Sequence, residues 1–117
     1  MAPRVLADYS RPSRDSDAAA GVRLLGTEIA RERKRAAVTA ADLAERARIS
    51  LVTLRKVERG EPSVAIGTVF EVAVLLGIDL LGTPEQVRDR TGRAQESLAL
   101  LPQRVRHPAA GEVDDDF

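Results

Sequence analysis

Between Thr39 and Gly60, two short segments with helical apolar spacing are separated by only three residues, Arg48-Ile49-Ser50. A link that short forces two consecutive helices to cross steeply. The first segment runs from about Ala40 to Ala47, with Leu43, Ala44 and Ala47 on its apolar side. Thr39 is placed to cap it, and Asp42 stands where the second member of an imperfect capping box belongs. The second segment opens after Ser50, another capping residue, and closes at Gly60, a residue type suited to the position just past a helix end. Leu54 and Val57 face inward at i, i+3 spacing. Ala44, Ile49 and Leu54 are expected to meet at the crossing, where the small Ala44 lets the two backbones approach.

The flanking text is also helical. A first helix is expected from Val22 to Ala36, with Leu25, Ile29 and Ala36 on one face and Arg31, Lys34 and Arg35 outward. Pro62 blocks continuation of the third helix. A fourth spans about Ile66 to Leu76 and stops at Gly77. A fifth opens at Thr83-Pro84, an N-cap followed by proline, and reaches about Leu101. No alternating apolar-polar run is bounded by hairpin turns, so no sheet is expected. The expected fold is all-α, with five helices. Aromatic residues make up 3% of the chain, so the core must be aliphatic. Each fully buried leucine or valine then contributes roughly 1.5–3 kcal/mol. Residues 1–20 mix proline, serine and charge and are expected to form a flexible arm. Residues 21–101 form the domain, and residues 102–117 a disordered acidic tail.

The formal net charge is zero, but it hides an asymmetry. Arg23 to Gly60 holds ten basic and five acidic residues, and Glu61 to Phe117 holds five basic and ten acidic. Such a split fits two different partners, and it equally fits solvated helix faces. The chain has no cysteine, which removes disulfides and thiolate metal sites and suits the cytoplasm. The N-terminal residues show no apolar core of a secretory leader and no run reaches membrane length, so neither a leader nor a membrane span is expected. His107 is the single histidine, and no nucleophile-elbow or phosphate-loop motif occurs. No catalytic centre, metal or cofactor is therefore expected.

A helix-turn-helix holds its second helix clear of the body, where it fits a major groove about 12 Å wide. The run VTAADLAERARISLVTLRKVERGEPSV resembles the XRE (Cro-type) helix-turn-helix family, most specifically at Leu43-Ala44-Glu45 and Val57-Glu58-Arg59-Gly60. It departs from the family pattern at Ala40, where many members carry glutamine. The resemblance implies a lambda-repressor-like five-helix domain whose third helix reads double-stranded operator DNA. Three further stretches resemble HipB-type antitoxins: Gly60 to Thr68, Leu101 to Arg106, and Val113 to Phe117. They imply a dimeric repressor of its own operon that also binds a HipA-type serine/threonine kinase toxin.

The family places Leu51, Val52, Thr53, Arg55 and Lys56 at outward positions facing bases or phosphates. Arg55 or Lys56 has the reach for guanine O6 and N7, a contact worth roughly 1–3 kcal/mol of discrimination. Leu51 and Val52 cannot hydrogen-bond, which suits thymine methyl groups, although Val52 also fits a place inside the bundle. Thr39, Ser50 and Arg59 are candidates for phosphate contact, and both hydroxyls equally suit pure capping. Arg33 and Glu58 match positions that form a partly buried ion pair in the family. In the fifth helix, Val87, Thr91, Ala94, Leu98 and Leu101 recur at a/d-like spacing. That seam fits a homodimer interface or packing on the fourth helix. Asp114, Asp115, Asp116 and Phe117 form either a solvating end or an aromatic anchor for the toxin. Two alternatives stand beside the antitoxin: a solitary XRE-type regulator, and an interaction module that keeps the fold without binding DNA.

Overall fold

The computed structural model describes residues 16–104, and these hold five α-helices and no strand. They are α1 (Asp17–Arg35), α2 (Ala40–Ala47), α3 (Leu51–Arg59), α4 (Ile66–Leu75) and α5 (Pro84–Ala99). The chain divides into two compact units, with α1 to α4 in the first and α5 in the second; the break falls between Leu80 and Leu81. The expected arm over residues 1–15 and the expected contacts of Asp114, Asp115, Asp116 and Phe117 lie outside the described residues.

The first helix begins five residues ahead of Val22, so residues 17–20 are helix and not arm. Ser16 is the reason: its hydroxyl accepts the Ala19 N–H at 3.0 Å. Ala18, Ala19 and Ala20 have the highest intrinsic helix propensity and need no apolar periodicity to join. At the other end, Ala36 is exposed as the cap and does not share the face of Leu25 and Ile29. The chain turns there and sends Val38 into the core in its place.

One aliphatic cluster holds the first unit together. Ile29, Leu43, Ala44, Leu54, Val57 and Val72 are its buried members, drawn from α1, α2, α3 and α4. Leu25, Val38, Ala40, Ile49 and Val69 pack around them. Ala40 therefore fills core space at the start of α2, where a longer polar residue would reach outward.

Four helices end in the same way. Beyond each, a residue with positive φ is followed by one whose N–H reaches five residues back. The N–H of Val38, Ile49, Glu61 and Ile78 bonds the carbonyl of Arg33, Ala44, Lys56 and Ala73 at 3.1, 3.0, 3.0 and 2.9 Å. This is the Schellman ending. The left-handed residues are Ala37, Arg48, Gly60 and Gly77. In three of the four, the following residue (Val38, Ile49 or Ile78) is apolar and packs on the core. In those three, the ending steers the chain back into the bundle.

The α1–α3 crossing is tight because both helices offer glycine. A Cβ on Gly26 would lie 2.4 Å from the Val57 carbonyl oxygen and 2.8 Å from the Gly60 nitrogen. A Cβ on Gly60 would lie 2.5 Å from Arg23 Cα. Backbone meets backbone at this point, so α3 has one seating on α1.

In the second unit, Thr83 and Gln86 form a reciprocal capping box at 3.2 and 2.9 Å, with Pro84 opening α5. Arg90 donates a hydrogen bond to the Leu81 carbonyl. No residue of α5 is buried.

Candidate nucleic-acid interface

Two capped, closely linked helices build the site. The Thr39 hydroxyl accepts the Asp42 N–H at 3.0 Å and starts α2. The Ser50 hydroxyl accepts the Thr53 N–H at 3.0 Å and starts α3. Ser50 also donates to the Thr53 hydroxyl at 3.0 Å, so the two side chains are held together at the first turn. Both predicted caps are in place, and both remain exposed.

The outer face of α3 combines apolar and cationic groups. Val52 is 63% exposed and lies outside the bundle, against the interior placement its residue type allowed. Leu51 is 36% exposed. Arg55 is exposed, and Lys56 and Thr53 are half-buried. Leu54 and Val57, one turn apart, point the other way into the core. Arg59 is occupied: it holds the Glu61 carboxylate at 2.7 Å, which offsets its charge locally.

The position of α3 is secured by a partly buried ion pair. Arg33 Nε donates to Glu58 Oε2 at 2.6 Å, and its Nη2 to Oε1 at 3.1 Å. Its remaining terminal nitrogen donates to the Val38 carbonyl at 2.9 Å. The two side chains are only 12% and 15% exposed. The hydrogen bond to Glu58, with the attraction of its charge, raises the Arg33 pKa against the lowering effect of burial. One guanidinium therefore joins the end of α1, the α1–α2 loop and the end of α3.

Cations are distributed unevenly over this unit. On α1, Arg31, Arg33 and Arg35 are each paired with a carboxylate, at 2.9, 2.6 and 3.2 Å, and Lys34 is exposed without such a partner among the described residues. On α2, the turn and α3, the side chains of Arg46, Arg48, Arg55 and Lys56 have no ion-pair or hydrogen-bond partner among the described residues. Arg46 and Arg48 fell outside the residues singled out from the sequence. They stand on the side of the motif that propensity and apolar spacing do not report. These four cations outnumber the two unpaired carboxylates of the motif, Asp42 and Glu45, in keeping with the basic balance of Arg23 to Gly60.

The fifth-helix seam is an exposed stripe. Leu98 is 68% and Leu101 59% exposed, Thr91 and Ala94 are exposed, and Val87 is half-buried. Among the described residues, no helix is long and apolar enough to cross a membrane, and no three histidine, cysteine or carboxylate groups gather as metal ligands would.

Two short helices on a three-residue link, with the second buried on one side and cationic on the other, define a helix-turn-helix DNA-binding domain. The chain belongs to the helix-turn-helix domain family, whose family model matches residues 24–91, more than half of its length. Membership marks it as a DNA-binding regulator. No curated protein matches the chain.

Proposed function

We propose that this protein is a dimeric, operator-binding transcriptional repressor acting in the cytoplasm. The observation that carries the reading is the set of unpaired cations on α2, the turn and α3, beside the neutralised arginines of α1. Duplex DNA offers closely spaced phosphates to such a face. In this reading, Arg55 and Lys56 reach base edges or phosphates, and Leu51 and Val52 meet thymine methyl groups in the major groove. Thr53 lies in the same first turn, while the Thr39 and Ser50 caps present backbone N–H groups to the phosphates. Arg59 acts there only by releasing Glu61. The exposed α5 seam of Val87, Thr91, Ala94, Leu98 and Leu101 supplies the contact to a second copy. Two copies then read half-sites about 34 Å apart.

Duplex affinity measured against salt tests this directly. A labelled DNA fragment from upstream of the gene should lose affinity steeply between about 50 and 200 mM salt. Replacing Arg55 and Lys56 together by alanine should weaken binding and flatten that slope by up to about 2 per bound subunit. Absence of binding at the lower salt would favour an interaction module that does not engage DNA.

The finer part of the reading is that the repressor is the antitoxin of a HipA-type kinase toxin. It is supported by the likeness of Gly60 to Thr68, Leu101 to Arg106 and Val113 to Phe117 to HipB-type antitoxins. Asp114, Asp115, Asp116 and Phe117 would then engage the kinase. Tagged purification from cells carrying the native operon should bring down a kinase-sized protein in fixed ratio, and both should move together onto operator DNA. A lone dimer that binds the DNA would make this a solitary regulator.

A further inference from the structure

The turn between α2 and α3 holds a cation at a backbone position that suits glycine. Arg48 has φ 60° and ψ 41°, in the left-handed region. The conformation is imposed by the helix ending: Arg48 N–H bonds the Glu45 carbonyl at 3.1 Å, and Ile49 N–H bonds Ala44 at 3.0 Å. Ile49 packs on the core and holds that geometry in place. The same ending carries glycine after α3 and α4, where the conformation is free of side-chain strain. At Arg48 the strain is accepted, yet the side chain makes no bond that would offset it. It is exposed, and among the described residues no carboxylate or carbonyl receives its guanidinium.

Arg48 stands two residues before Ser50, the cap of α3. It is therefore at the shoulder of the helix that enters the groove, on the link shared by both helices of the motif. An exposed guanidinium with no partner among the described residues, fixed on the link beside a DNA-reading helix, is available to an anion from outside the chain. We infer that Arg48 is a backbone clamp: its guanidinium holds a phosphate flanking the groove and sets the register of α3 on the duplex. The inference rests on the DNA-binding reading above and deepens it. The competing role is local, as a cation compensating the C-terminal dipole of α2.

Ala37 provides a matched control. It has the same ending and φ 59° after α1, but carries only a methyl group. Three full-length variants, Arg48→Gly, Arg48→Lys and Ala37→Gly, would be compared with the parent by thermal melting and by anisotropy on a labelled mixed-sequence duplex. Ala37→Gly should melt at the same or a higher temperature and bind as the parent does. Arg48→Gly should also melt no lower, yet bind about tenfold more weakly near 50 mM salt, with a salt slope shallower by about 0.9 per bound subunit. Arg48→Lys should keep that slope, because it keeps the charge. Parental affinity and slope in Arg48→Gly would overturn the clamp. A lowered melting temperature with unchanged binding would overturn it too, and would assign Arg48 to the end of α2. A parent chain that binds no duplex at the lower salt overturns the clamp and the DNA-binding reading together.

Discussion

Gly26→Ala is expected to cost the first unit about 3 kcal/mol or more, or to unfold it, at the upper end of what overpacking does. The direction is opposite to helix propensity, by which alanine in a helix interior gains about 1 kcal/mol over glycine. Sterics decide against propensity here. The new methyl group would sit 2.4 Å from Val57 O, 2.8 Å from Glu58 O and 2.8 Å from Gly60 N. All three are backbone atoms of the last turn of α3 and its cap, so no rotamer change makes room. Either α1 or α3 must move, and the crossing has little room to adjust at Gly60, where even a Cβ would lie 2.5 Å from Arg23 Cα. Gly21, on the same helix, has nothing within 4 Å of its Cβ position. Gly21→Ala should therefore stabilise by up to about 1 kcal/mol. Urea denaturation followed by circular dichroism separates the two. Equal stability of both variants would mean that the helices meet less closely than this crossing implies.

The second large effect is at the ion pair. Glu58→Ala should destabilise by about 3 kcal/mol, the low end for one-sided loss of a buried pair. The low end applies because Arg33 keeps its bond to the Val38 carbonyl at 2.9 Å. Arg33→Ala should cost more, toward about 5 kcal/mol, since it strands the Glu58 carboxylate and the Val38 carbonyl together. Replacing both with leucine should recover most of the loss, because two desolvated charges are exchanged for apolar contact. Failure of the double variant to recover would show that the pair positions α3 by geometry that packing cannot supply. The pH dependence follows from the Arg33 shift. A folded-state pKa raised above the unfolded value gives stability fully present below the unfolded value and lost only as pH rises through the folded one. Both lie far into the alkaline range, so arginine titration leaves the pair intact at neutral pH. Each single variant would also lose DNA affinity through unfolding, so binding should be normalised to the folded fraction.

Much of the fold was written locally. Thr39, Ser50 and Thr83 are capping residues whose hydroxyls can reach the third N–H of the helix they precede, whatever the rest of the chain does. Gly60 and Gly77 mark helix ends because only glycine takes the left-handed conformation without strain. Leu43, Leu54 and Val57 follow helical spacing, and that spacing alone sets which side turns inward. The same conformation at Ala37 and Arg48 was invisible, since neither residue type signals it. There the hydrogen bond to the fifth residue back and the burial of Val38 and Ile49 overrule the side chain's preference. The start of α1 was hidden for the reverse reason: alanines at residues 18–20 have strong propensity but no period.

For this protein, the order of residues by itself determined five helices, the caps of α2, α3 and α5, and the three-residue turn that makes two of them a DNA-reading motif. These depend on contacts within a few positions of each residue, which a sequence displays directly. Only the tertiary structure decided which glycine is indispensable, which cations are already neutralised and which remain for a partner. Gly21 and Gly26 are both interior to α1, and they differ only in whether α3 lies against them. Arg33 and Arg55 are the same residue type in helices. One faces a carboxylate 25 positions away in the chain and the other faces solvent. Steric exclusion and charge pairing act through space at distances of a few ångströms, and chain position reveals neither until the helices are packed.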